Sequence, residues 1–98
     1  MGDEIMSEYV TVEAESTPDP DVMHIITNQT LTTNEEEVYE SPEAGDVGST
    51  LAQTLFMGVD GIRALTIIDD TLIVTRTPDT PWEVLVDEVR DVLRDFFL

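Results

Sequence analysis

Apolar and polar residues alternate with period two from Glu8 to Glu15, with Val10, Val12 and Ala14 on one side and Tyr9, Thr11 and Glu13 on the other. This pattern predicts a half-buried strand. Ser16-Thr17-Pro18-Asp19-Pro20-Asp21 ends it, since neither proline can donate to a ladder and both favour turns. Alternation resumes from Val22 to Thr27, with Met23 and Ile25 inward and His24 outward, so the two runs read as a hairpin. Residues 28–48 follow no clear period. Leu31 is the one apolar anchor of the polar stretch Asn28 to Asn34, and Glu35-Glu36-Glu37 reads as a solvated loop. Val38 and Tyr39 either pin that loop to the core or form a short edge strand, and Ser41-Pro42, Gly45 and Gly48 mark further turns.

A helical spacing follows from Ser49 to Met57, where Leu51, Leu55 and Phe56 share a face with Ala52 beside them. Thr50 and Gln53 have the spacing of a capping box, and Gly58 is the expected stop. Two β-branched runs then flank Asp69-Asp70 between Ile62 and Thr77. A two-residue turn there pairs Ile67 with Leu72 and Leu65 with Val74, four side chains on one face at the centre of the core. The same register puts Arg63 beside Arg76 at the rim of that face. The opposite face carries Ala64, Thr66, Ile68, Thr71, Ile73 and Thr75 and no charge. Thr80-Pro81-Trp82-Glu83 opens a last helix, with Thr80 as the expected cap and Pro81 at its first position. Trp82, Leu85, Val86, Val89, Leu93 and Phe96 form its apolar stripe. The order ββαββα predicts an α+β two-layer sandwich, one antiparallel sheet with both helices on one face. Residues 1–7 are expected to be a flexible segment and 8–98 the domain.

Charge changes this picture. The chain has 98 residues with 22 Asp and Glu, four Arg, no Lys and a formal net charge of −18. Every cation lies after residue 48. Direct binding of nucleic acid or an anionic membrane is not expected, because each phosphate contact needs a cation. Three readings of the acidity stay open: a hydrated surface suited to high salt, a docking face for a basic protein, or mimicry of DNA. The acidic start and the lack of a long apolar run point to a cytoplasmic protein without a membrane span.

The chemistry is sparse. Without cysteine there is no thiolate nucleophile, redox pair or cysteinyl metal site. His24 is the only histidine, and it reads as a surface residue with no second ligand. Asp19 with Asp21, Asp69 with Asp70 and the Glu35–Glu37 run lack the spacing of a calcium loop. No nucleophile–base pair or phosphate loop is present, so no catalytic, cofactor or metal residue is expected. Arg90 and Arg94 are placed to pair with Asp87 and Asp91 at i, i+3. Arg63 and Arg76 either relieve acidic crowding in the same way or clamp a partner carboxylate.

Four stretches, in order, resemble the N-terminal domain of Nfu/NifU-type iron–sulphur scaffold proteins. They are Thr17-Pro18-Asp19-Pro20-Asp21 before the strand at Met23 and Ile25, then Ser41-Pro42, then Leu51-Ala52-Gln53-Thr54-Leu55-Phe56 leading to Gly61-Ile62. The last is Leu72-Ile73-Val74-Thr75 followed by Trp82 and Phe96-Phe97. The match spans about residues 8–97. Asp19 and Asp21 stand where the family commonly has Asn, and acids largely replace its usual bases. The resemblance implies an accessory domain that engages partners, with cluster binding left to a separate CxxC domain. The implied partner is an iron–sulphur scaffold, a CxxC domain or a target apoprotein, and no catalytic residue is carried over. The candidate partner surface is Arg63, Thr66, Ile68, Ile73 and Arg76. The competing reading is an acidic free-standing decoy or regulator of a DNA-binding protein.

Overall fold

The longest β-branched runs form the two central strands, β4 (Ile62–Ile68) and β5 (Thr71–Arg76). Asp69-Asp70 joins them, and Asp69 takes the left-handed conformation (φ 52°) that a short polar side chain tolerates better than a bulky one. Ile67 pairs with Leu72 and Leu65 with Val74, as the alternation requires. All four are buried in the core. The computed structural model describes residues 10–97, so the expected flexible segment 1–7 and the strand residues Glu8 and Tyr9 lie outside the described residues.

The register breaks at one point, and this corrects an expectation. Ile62 pairs with Arg76 and Ala64 with Thr75, which leaves Arg63 as the extra residue of a bulge. Without the bulge, strict alternation would turn Arg63 to the core and Ile62 to the outside. With it, Ile62 is buried and Arg63 is exposed. Keeping a guanidinium out of the core and an isoleucine in it is the physical reason for the irregularity.

The flanking strands complete a five-stranded antiparallel sheet. β1 (Val12–Ser16) and β2 (Val22–Thr27) form the first hairpin, and β2 pairs with β5, so both hairpins share one sheet. β3 (Glu37–Tyr39) pairs with β4 at the far side, giving the order β1-β2-β5-β4-β3. Of the two roles open to Val38 and Tyr39, both are realised: they form a short edge strand, and Tyr39 is also buried in the core. A one-turn helix, α1 (Pro42–Asp46), occupies what reads in sequence as turns, with Ser41 Oγ accepting from Ala44 N at 3.2 Å.

The longer helices lie close to their expected positions but do not keep their expected ends. Gly58, read as a stop, is itself helical, Pro81 precedes the last helix instead of opening it, and the caps differ. α2 (Thr50–Gly58) is capped by Ser49, whose Oγ accepts from Ala52 N at 3.3 Å, while Gln53 Nε2 donates to Gly48 O at 2.9 Å. Thr50 is therefore the first helical residue, not the cap. α3 (Trp82–Phe96) starts after an extended Pro81 without a side-chain cap. Thr80 stands one residue before the cap position, and its hydroxyl meets that of Thr77 at 2.6 Å. Leu51, Ala52 and Leu55 of α2 and Leu85, Val89 and Leu93 of α3 join Ile25, Leu65, Ile67, Leu72 and Val74 in one core. The α+β sandwich with helices on one face thus holds, with one strand and one short helix added.

Candidate partner-binding surface

With both long helices on one face, the other face of the sheet carries no helix among the described residues. Ladder partners line up across it. Val38 pairs with Thr66, Thr66 with Ile73, Ile73 with His24 and His24 with Glu15, forming one row across all five strands. The next row runs from Ile68 through Thr71 and Ile26 to Glu13. Thr66, Ile68 and Ile73 are half-buried neighbours here, and Val38 is 52% exposed. No acid occurs in β2, β4 or β5, so the centre of the face is uncharged and its acids, Glu13 and Glu15, stand on the edge strand. His24 is one of its half-buried members. Ile26, His24 and Val38 belong to this face by strand alternation, which the sequence shows once the pairing of β2 with β5 is known.

Arg76 leaves this surface. It belongs to the helix side of β5, where Nε meets Asp21 Oδ1 at 3.1 Å and one terminal nitrogen donates to Thr80 O at 2.9 Å. Its guanidinium carbon also lies 5.1 Å from the Trp82 ring centroid, within cation–π range. Trp82 Nε1 in turn donates to Pro20 O at 2.9 Å. A guanidinium committed to these partners is not part of a clamp with Arg63, which sits exposed in the bulge. The two arginines do not form the expected side-by-side pair. Arg90 and Arg94 do meet Asp87 and Asp91, at 3.0 and 3.6 Å.

The residues that carry the family-like pattern shape the scaffold. Thr17 Oγ1 lies 2.9 Å from the carbonyls of Asp19 and Val22 and accepts from Asp19 N at 3.1 Å. Asp19 Oδ1 accepts from Asp21 N at 2.9 Å. Thr17, Pro18, Asp19 and Pro20 therefore build a rigid turn that presents Asp21 to Arg76 and Pro20 to Trp82. Leu51, Ala52 and Leu55 are core residues, and Phe56 packs edge-on against Tyr39 with centroids 6.4 Å apart.

One polar cluster departs from expectation. Glu37 belongs to β3 instead of a solvated loop, and both its carboxylate oxygens are engaged. Thr32 Oγ1 donates to Oε2 at 2.5 Å and Tyr39 Oη to Oε1 at 2.6 Å, while Ser49 N donates to Tyr39 Oη at 3.1 Å. Burial opposes ionisation of Glu37, but hydrogen bonding to Thr32, Tyr39, Ser49 and Asn34 outweighs it and holds the carboxyl below its ordinary value. Gly48 is needed here, because a Cβ would stand 2.3 Å from the Tyr39 ring. The cluster borders a cleft of about 340 Å³ between the loop at Thr32 and the end of α3 at Phe96 and Phe97. With its acceptors filled from within the chain, Glu37 ties that loop to the sheet. The spacing of Glu37 and Tyr39 at i, i+2 was the available signal, hidden by the charge run before it.

Among the described residues, no cluster of three or more His, Asp or Glu could hold a metal ion, and no helix is long and apolar enough to cross a membrane.

The sequence matches the family model described as scaffold protein Nfu/NifU N terminal over residues 7–98. Solved structures share the fold. A NifU-like protein from Saccharomyces cerevisiae, determined by solution NMR, superposes with a TM-score of 0.72 at 22% identity, covering 90% of this chain and 78% of that one. The crystal structure of protein SAV1430 from Staphylococcus aureus gives 0.68 at 18% identity, covering 85% and 98%. Its solution structure gives 0.57 at 19% identity, covering 82% and 85%. No curated protein matches the sequence at a significant level.

Proposed function

The chain belongs to the Nfu/NifU N-terminal family, and from that premise we propose that it is a non-catalytic interaction domain that assists iron–sulphur cluster assembly or delivery by docking onto a partner protein. The observation that carries this reading is the open sheet face. In a chain of net charge −18, three adjacent strands present a surface centred on Thr66, Ile68 and Ile73 that carries no acid, with no helix over it among the described residues. An apolar face of that kind gains free energy when a partner removes it from water. The carboxylates are spread over β1, the loops, α1 and α3, on both sides of the sheet. That spread favours docking over a decoy that imitates DNA.

An NMR titration tests the proposal. The isotope-labelled chain is titrated with an iron–sulphur scaffold or CxxC domain from the same organism. Shift changes concentrated at Thr66, Ile68, Ile73 and His24 are expected, and Ile73→Asp should abolish them. Unperturbed spectra with every such partner would overturn the reading.

A further inference from the structure

The free side of β1 lies beside an apolar pocket, and the two together have the form of a strand-binding groove. Among the described residues β1 pairs only with β2. Thr27 N donates to Asp70 O at 2.8 Å and Arg76 N to Asp21 O at 2.9 Å, so the odd residues of β2 bond toward β5. Its even residues then bond Glu13 and Glu15, and the backbone groups of Val12, Ala14 and Ser16 face the free edge.

Ala14 lies on the helix side of the sheet, yet it is exposed. In front of it is a pocket of about 340 Å³ formed with Met23, Trp82 and Val86, bordered by Glu83 and Asp87. A strand added at this edge would set the residue opposite Ala14 over that pocket. Its alternate residues would stand on the outer face, opposite Glu13 and Glu15.

The charges select the occupant. A second copy paired through β1 would bring Glu13 and Glu15 against acids of the same kind, which disfavours it. The chain's own N-terminal segment carries Asp3, Glu4 and Glu8 and meets the same repulsion. We propose that this groove receives an extended, basic segment of another protein by strand addition, apolar side chains toward the Trp82 pocket and Lys or Arg toward Glu13 and Glu15. This surface is separate from the open sheet face, and the two proposals stand or fall independently.

The test uses the whole chain and the capped peptide Lys-Val-Lys-Leu-Lys-Val-Lys, followed by the fluorescence of Trp82, the single tryptophan, and by backbone amide shifts. Saturable binding is expected, with shifts at Val12, Ala14 and Ser16 and weakening as salt rises. Ala14→Arg should weaken binding about tenfold or more, and Glu13→Lys with Glu15→Lys should do the same. All three sites are exposed, so folding is not at stake. Absent binding, equal binding of the peptide with Glu in place of Lys, or shifts confined to Thr66, Ile68 and Ile73 would each overturn the proposal. So would nuclear Overhauser contacts from residues 3–8 to Trp82, or a dimer that Ala14→Arg dissolves.

Discussion

Leu72 and Ile73 are consecutive residues of β5, similar in size and apolarity, yet the first is fully buried and the second half open. The difference comes from the two faces of one sheet. The face bearing Leu72 meets α2 and α3, whereas that bearing Ile73 meets no helix among the described residues. Both faces are written in β-branched and aliphatic residues, so composition alone does not separate them. What separates them is the supply of amphipathic helices, which suffices for one face. The apolar face without a helix is the one proposed above for docking, while the covered face serves stability.

The contrast is broken most directly by truncating each neighbour. Leu72→Ala should lower the unfolding free energy by about 2–5 kcal/mol, read from urea melts, because it leaves a cavity among packed side chains. The two arginines extend the comparison to charged groups. Arg76→Ala should cost about 1–2 kcal/mol, since Asp21, Thr80 O and the Trp82 ring all lose their partner. Ile73→Ala should cost about 1 kcal/mol or less, mostly strand preference, while reducing partner binding. An equal loss from Leu72→Ala and Ile73→Ala would refute the division of roles.

Smaller effects sharpen it. Glu37 has its carboxyl lowered in the fold, against desolvation, by hydrogen bonds from Thr32, Tyr39, Ser49 and Asn34. Its folded value lies below its unfolded one, so its contribution is fully present above the ordinary carboxylate range. It is lost as pH falls through the lowered folded value. Glu37→Gln should therefore flatten the fall in stability on acidification, seen as converging urea midpoints of the two proteins at low pH. Arg63→Ala, at an exposed bulge, should change stability by no more than about 0.5 kcal/mol. A larger loss would mean that the bulge depends on the guanidinium and not on Ile62.

Local signals made much of this legible. Period-two alternation located β2, β4 and β5 and the Ile67–Leu72 register, and the spacing of Leu85, Val89 and Leu93 located α3. The caps were harder, because Thr80, Thr77, Ser49 and Thr50 are all chemically suited to the task. Which hydroxyl meets a helix terminus depends on backbone approach, not on residue type. β3 and α1 were obscured because three strand residues and one helical turn are too short to show a period. The candidate surface was legible at Thr66, Ile68 and Ile73, where alternation suffices to put them on one face. It was misleading at Arg63, where a single inserted residue reverses the face, while Arg76 keeps the helix-side position that alternation gives it.

By itself, then, the sequence determined the hairpin registers, the buried stripe of α3, the uncharged stretch of central strands and the absence of cysteine chemistry. These follow from neighbours in sequence and from residue type. Only the tertiary structure decided that β2 joins β5, and so that the uncharged stretches merge into one face and leave β1 at the edge beside Trp82. It alone placed Arg76 against Asp21 across 55 residues of chain, and Glu37 against Thr32 and Tyr39. Such contacts depend on how elements distant in sequence are brought together to cover apolar surface, a choice that no local period encodes.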